Sequence, residues 1–351
     1  NGPAMEAGIK PGDVILNVND TETTGRKLRD VAKLLRGPVG SLIRISVSRL
    51  SNEAGAPDRS IAFSIKREHI VPETVQMTVL GDLMVVNIRS FNKNTASSVH
   101  DILRAHDNAM RDGALKGIVL DLRGNPGGLL SQAVNVADLF LQEGRIIATH
   151  GRHPDSHHQY TAGGVDLARG LPLAVLVDGD SASAAEIVAS ALQDLGRAAV
   201  VGTASYGKGT VQTVIRLPND GEMTLTWSRF IAPSGYAIHG LGVMPAVCAT
   251  NTGSPVPLNE ENSPEGESLL SDAILAPRHI DDARSTIGAW RQAGIIFDGR
   301  RSTLRRTCPA RAFKPGKSGD FLLKLAGRVI HDPALYQRAV FLPPPVSTAS
   351  R

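Results

Sequence analysis

Two blocks of the chain carry regular alternations of apolar and polar positions. In the first, Val14-Ile15-Leu16-Asn17-Val18 reads as a short strand after Gly8-Ile9-Lys10-Pro11-Gly12-Asp13, where Pro presets φ and Gly supplies positive φ. Leu28, Val31, Leu34 and Leu35 recur with helical spacing, and Gly37-Pro38 ends that helix. Leu42, Ile43, Ile45 and Val47 predict a second strand, and Ile61, Phe63 and Ile65 alternate as a third. In the second block, Met84–Ile88 reads as a strand, Ala198–Val201 is strand-like, and the near-continuous apolar runs at Gly117–Leu122 and Leu173–Val177 predict buried strands. Helices are expected across Thr95–Met110 with Thr95 as N-cap, Ser131–Leu141 and Ala182–Gln193. Val211–Leu217 and Met223–Trp227 are strand-like. Strands alternating with helices argue for a layered α/β domain.

The pattern divides the chain into 1–68, a mostly β unit, and 69–252, an α/β core. Residues 253–267, rich in Ser, Pro, Glu and Asn, read as a linker, with disorder expected from the composition. Within 268–351, Leu269–Ile274, Ala283–Ala293 and Phe321–Ile330 have helical spacing, but no motif and no repeat gives this extension a role.

Composition narrows the classes. A chain of 351 residues with 42% hydrophobic positions holds about two domains with a sizeable core. A net charge of +4 is too small to name a partner. The densest basic stretch, Arg300, Arg301, Arg305, Arg306 and Arg311, lacks the module and stacking aromatics of a nucleic-acid surface and reads as a solvated basic face. No window approaches the roughly 18 apolar residues of a membrane helix, so no stable membrane insertion is expected. There is no signal peptide, and the abrupt start at Asn1-Gly2-Pro3-Ala4 reads like a fragment or processed form. Whether Cys248 and Cys308 pair is left open.

Three segments could carry chemistry. Asp121-Leu122-Arg123-Gly124-Asn125-Pro126-Gly127-Gly128 runs an apolar strand into a glycine-rich turn. Such a turn exposes backbone N–H groups that can face a developing negative charge, or is simply a tight connection. Asp178-Gly179-Asp180-Ser181-Ala182-Ser183-Ala184-Ala185-Glu186 again leads from strand to helix, with Ser183 near the helix N-terminus and the N–H of Ala184 next to it. Ser183 and Glu186 also have capping-box spacing, so on the residues alone Ser183 reads first as a structural cap. Gly202-Thr203-Ala204-Ser205-Tyr206-Gly207-Lys208-Gly209 sets Lys208 between glycines in an apolar region. Burial would lower its pKa toward a neutral base; an exposed loop lysine is the alternative.

In their order, these motifs resemble the C-terminal processing peptidases, or tail-specific proteases: Asp-Leu-Arg-x-Asn-Pro-Gly-Gly, then Gly-x-Ser-Ala-Ser-Ala-x-Glu-Ile, then Tyr-Gly-Lys-Gly-Thr-Val-Gln. Upstream, Gly2-Pro3-Ala4…Ala7-Gly8-Ile9-Lys10-Pro11-Gly12-Asp13-Val14-Ile15-Leu16 resembles the second part of a PDZ domain, whose peptide-carboxylate loop is expected before residue 1. The resemblance implies a core of crotonase and tail-specific-protease type behind a truncated PDZ-like unit. It implies Ser183 as nucleophile, Lys208 as general base 25 positions on, and Gln212 orienting that lysine. Oxyanion donors would be the N–H of Ala184 and one from Gly127 or Gly128. Ala185 stands where the family often has a third serine. No cofactor is expected. Partners are polypeptide substrates held by their C-terminal tails, an oligomer is open, and export to the periplasm follows from the family alone.

Competing readings are a catalytically inactive PDZ-bearing scaffold and a crotonase-type acyl-CoA enzyme, against which the PDZ-like unit argues. A Ser–His–Asp triad would need one of ten histidines. His239, in a family-like stretch, reads as structural or substrate-lining. His153, His157 and His158 lie in a polar loop whose spacing does not suggest a metal site.

Overall fold

A computed structural model describes residues 2–50, 58–219, 221–249, 271–296, 300–312 and 320–340. The linker expected at 253–267 and the start of the Leu269–Ile274 helix lie outside these residues. The chain forms two compact units, Asn1–Pro72 and Glu73–Arg351.

The first unit opens with a single helical turn, α1 (Pro3–Glu6), and contains α2 (Leu28–Leu35). Its sheet has the order β2-β1-β3-β4, from β1 (Val14–Val18), β2 (Thr21–Glu22), β3 (Leu42–Arg49) and β4 (Arg59–Lys66). All pairings are antiparallel. In β3 the alternation seen in the sequence becomes a face: Ile43, Ile45 and Val47 are buried while their neighbours are not. With Val18 and Ile65 they make a small core of their own.

The second unit is built on a six-stranded sheet of order β14-β11-β10-β7-β6-β5. Its strands are β5 (Val75–Leu80), β6 (Leu83–Ile88), β7 (Gly117–Asp121), β10 (Leu173–Val177), β11 (Ala199–Gly202) and β14 (Val247–Cys248). β6, β7, β10, β11 and β14 run parallel, and β5 pairs antiparallel with β6. Every residue of β7 and β10 is buried, as expected of parallel strands covered on both faces. Helices α3 (Thr95–Ala105), α4 (Asp107–Arg111), α5 (Leu130–Asp138) and α6 (Ala184–Asp194) follow the strands. A second, antiparallel sheet has the order β12-β13-β8-β9, from β8 (Arg145–His150), β9 (His158–Thr161), β12 (Thr210–Arg216) and β13 (Glu222–Ile231).

The tail beyond residue 270 belongs to this core. α7 (Pro277–Ile296), α8 (Arg301–Arg305), α9 (Phe321–His331) and α10 (Pro333–Val340) follow β14. α9 and α10 pack on β10 and β11. Trp290, Leu322, Leu325, Val329 and Ile330 are buried in the same cluster as the central strands. Cys248 and Cys308 form a disulfide that ties the last strand to the segment after α8.

Several expectations are corrected. The helix predicted for Thr95–Met110 breaks at His106 into two, and Asn94 rather than Thr95 precedes its first turn. The Thr95 hydroxyl is drawn inward instead, bonding the Thr74 hydroxyl at 2.7 Å and accepting the Asn92 N–H at 2.9 Å. The basic stretch is not one solvated face: Arg301 and Arg305 are half-buried because backbone carbonyls of the 237–241 turn accept their guanidinium N–H groups. β2, β5, β8, β9 and β14 were not anticipated.

Candidate active site

The three glycine-bearing segments follow the C-terminal ends of β7, β10 and β11, which are adjacent in the sheet with β10 in the middle. In a parallel sheet these ends carry the loops that form sites. Topology thus sets the Ser183 turn between the glycine turn and the Lys208 loop.

Buried polar groups fix each turn. Asp178, 2% exposed, accepts on Oδ1 from the N–H groups of Gly124, Asp180 and Ser181 at 2.9–3.1 Å. The Ser181 hydroxyl is fully buried and donates to the Leu122 carbonyl at 2.8 Å. Ser181 is therefore part of the framework, which leaves Ser183 as the serine available for chemistry. Asn125 joins the two turns: Nδ2 donates to the Ile88 carbonyl at 2.6 Å, and its own carbonyl accepts from Ala182 N–H at 2.9 Å. Arg123 forks onto Asp121 at 2.6–2.8 Å and onto Asp320, which caps α9, at 2.5–2.7 Å. Burial works against the charge of Arg123, but the two carboxylates outweigh it and raise its pKa.

Ser183 sits at φ 56°, ψ −113°, half-buried, directly before α6. Positive φ on a side-chain-bearing residue is strained, and such strand–turn–helix bends push a side chain out of the turn. The capping partner seen in the sequence is real: Ser183 and Glu186 form a capping box, in which Glu186 Oε2 accepts the Ser183 N–H at 2.8 Å. The Glu186 N–H is itself taken by the Ser183 carbonyl at 2.9 Å.

Glu186 does more than cap. It is fully buried, and its two oxygens collect four donors. Oε1 accepts from the Ser205 hydroxyl at 2.5 Å and Gly207 N–H at 2.6 Å. Oε2 accepts from Ser183 N–H and Lys208 N–H, each at 2.8 Å. One carboxylate oxygen therefore holds the backbone nitrogens of both residues within twice that distance of each other. Burial lifts the Glu186 carboxyl above its ordinary range, opposed by those four hydrogen bonds.

The Lys208 side chain is exposed, not buried as a neutral base requires, and no hydrogen bond joins its Nζ to Ser183 Oγ among the described residues. Gln212 is also exposed, on β12, paired across the hairpin with Thr226. Of the two glycines, Gly127 donates its N–H to Asn125 Oδ1 at 2.8 Å. The N–H groups of Gly128 and Ala184 make no hydrogen bond among the described residues. Gly127 has φ +100°, and a Cβ there would lie 2.8 Å from Ser183 Cβ and 3.0 Å from Ala184 N. The glycine turn thus packs directly against the serine turn.

No histidine hydrogen-bonds Ser183 among the described residues. His239 lies in the turn beside the lysine loop, where burial, then the charges of Arg229 and Arg301, lower its pKa. His150 and His153 line a cavity of about 710 Å³ with Arg152, Trp227 and Arg229. No group of three or more His, Cys, Asp or Glu is placed to hold a metal ion among the described residues. The sequence reading missed the roles of Asn125, Asp178 and Ser205. Glu186 reads from the sequence only as a cap, since its further partners, Ser205, Gly207 and Lys208, come from a distant loop.

Residues 82–248 match the model of peptidase family S41, and residues 1–49 match that of the PDZ domain. The chain is 38% identical over 245 residues to a carboxy-terminal-processing protease of Bartonella bacilliformis, covering 70% of this chain and 55% of that protein. It is 36% identical over 247 residues to a probable CtpA-like serine protease of Staphylococcus aureus, covering 70% of this chain and 47% of that protein. The chain therefore spans about half the length of these relatives. Among solved structures, a photosystem II D1 C-terminal processing protease aligns with 31% identity and a TM-score of 0.44, over 70% of this chain and 65% of that one.

Proposed function

We propose that this chain is a serine endopeptidase of the family S41 type that cleaves polypeptides near their C-termini, with Ser183 as nucleophile and Lys208 as general base. The observation that carries this reading is the shared Glu186 oxygen, which fixes the two residues' backbones side by side at the mouth of a parallel sheet.

The neutral amine of Lys208 takes the proton of the Ser183 hydroxyl as Oγ attacks the scissile carbonyl carbon. The resulting oxyanion lies against the N–H groups of Ala184 and Gly128, which have no other partner among the described residues. Collapse expels the amine product, which receives the proton, and water then hydrolyses the acyl-enzyme. Lys208 is exposed without substrate, so the bound polypeptide has to displace water from it before it can act as a base. Gln212, on the strand that continues from the lysine, orients Nζ. The PDZ unit presents the substrate's tail by strand addition. Export to an oxidising compartment such as the periplasm agrees with the Cys248–Cys308 disulfide.

Hydrolysis of an unstructured protein such as casein tests the dyad. Ser183→Ala and Lys208→Ala should each lower kcat by about a thousandfold or more, with folding intact by circular dichroism. Undiminished cleavage by Lys208→Ala would overturn the proposed base, and no cleavage by the parent would count against the peptidase reading.

A further inference from the structure

The tail beyond the family-matched region reaches the lysine loop. Arg305, at the end of α8, is half-buried. Its Nη1 donates to the Leu241 carbonyl at 2.5 Å and its Nη2 to the Ser205 carbonyl at 3.2 Å. A Cβ built on Gly207 would lie 3.2 Å from Nη1, so the guanidinium packs against the residue preceding Lys208. Ser205 is the same residue whose hydroxyl donates to Glu186 Oε1. The Gly207 carbonyl accepts from Gly240 N–H at 2.8 Å. Arg305 therefore bridges two loops, 203–209, which carries Lys208, and 237–243.

The segment after Arg305 is anchored at three points. Cys308 is bonded to Cys248. The Arg311 carbonyl accepts from the Thr203 hydroxyl at 3.0 Å, and from Gly179 N–H, in the turn leading to Ser183, at 2.8 Å. The tail thus grips the lysine loop and the serine turn together.

A half-buried cation is costly unless something offsets it. Arg305 spends its hydrogen bonds on carbonyls, and burial lowers its pKa against the opposing charge of Glu186. A planar fork suits the holding of two carbonyls from different loops; the point charge of a lysine does not.

We propose that Arg305 is a positioning residue for Lys208: supplied by the C-terminal segment, it holds the 203–209 loop in register with the Ser183 turn and makes the catalytic geometry depend on the tail. This rests on Lys208 being the base, and the test separates the two ideas. In a Ser183→Ala background, inert in any case, amide hydrogen exchange is compared between Arg305 and Arg305→Met, whose side chain keeps much of the apolar stem. Exchange across 203–209 should accelerate about tenfold or more while 117–122 is unchanged. With Ser183 present, Arg305→Met should lower kcat on casein by about ten- to a hundredfold with KM within about twofold, and Arg305→Lys should recover only a small part of the loss.

Unaltered exchange across 203–209 would overturn the proposal. So would full recovery by lysine, or a uniform rise in exchange that marks general destabilisation. An inert parent would sink the peptidase reading while the exchange result still decides whether Arg305 holds the loop.

Discussion

At the scale of the residue, the site turns on a carboxylate that touches no substrate. Glu186 satisfies four donors with two oxygens. An amide has only one acceptor oxygen, so Glu186→Gln leaves two donors facing an NH2 group. A buried hydrogen bond to a charged group contributes about 1.5–3 kcal/mol, so this variant should lose about 3 kcal/mol in urea unfolding and most of its activity. Its pH dependence has a definite sign. Burial raises the folded-state pKa above the ordinary 4.5, so the native state binds this proton more tightly than the unfolded chain does. The contribution to stability is fully present below about 4.5 and falls as pH rises through the raised value. Glu186→Gln should therefore flatten the decline of stability between pH 4.5 and the raised value; an unchanged slope there would show that another group governs it. From the residues alone, Ser183 also reads as a cap and Lys208 as a loop lysine; it is the resemblance of the ordered motifs that singles the two out. Glu186 was legible only as a cap, because nothing local reveals that residues 205–208 fold back onto it.

At the scale of the element, the three parallel strands were legible because burial on both faces makes them uniformly apolar. The loops after them were legible in kind but not in wiring. Either glycine of the 127–128 pair could serve as an oxyanion donor on sequence grounds; in the structure Gly127 gives its N–H to Asn125 Oδ1, whereas that of Gly128 has no partner among the described residues. β8 and β14 were missed because a two-residue strand and a strand ending in polar Thr149-His150 lack length or alternation. The glycines also differ in what a methyl group would meet. At Gly127 it would press on Ser183 and Ala184, whereas at Gly128 it would lie 2.1 Å from the Phe91 carbonyl oxygen. Gly127→Ala should therefore displace the nucleophile and cut kcat by about a hundredfold, with a smaller loss of stability. Gly128→Ala should mainly destabilise, by about 2 kcal/mol or more, because it opens the junction between 91 and 128. Parallel kinetics and urea denaturation of the two variants check the contrast. Equal effects on both measures would mean that the turn acts as one rigid piece.

At the scale of the whole molecule, the extension that offered no motif proves to be part of the catalytic unit's core. Its helical spacing was visible at Ala283–Ala293 and Phe321–Ile330, but spacing cannot say which sheet a helix will cover. Nor could the sequence say that Cys248 and Cys308 meet, since two cysteines 60 residues apart are brought together only by the packing of α7 and α8. That bond closes a long loop, and the chain-entropy relation gives about 4 kcal/mol for a loop of this length. Cys308→Ala should accordingly lower the unfolding free energy by about that amount, read from urea denaturation against the parent, and reduction of the parent should match it. The loss should fall unevenly. The segment 300–312 lies next to the broken bond and should gain hydrogen exchange first, followed by the 203–209 loop that it clasps. β7 and β10 should respond last, because α9 and α10 still cover them. A variant that lost stability uniformly, with no order between tail and loop, would mean that the disulfide acts only on the unfolded chain and that the tail's grip on the site comes from its noncovalent contacts alone.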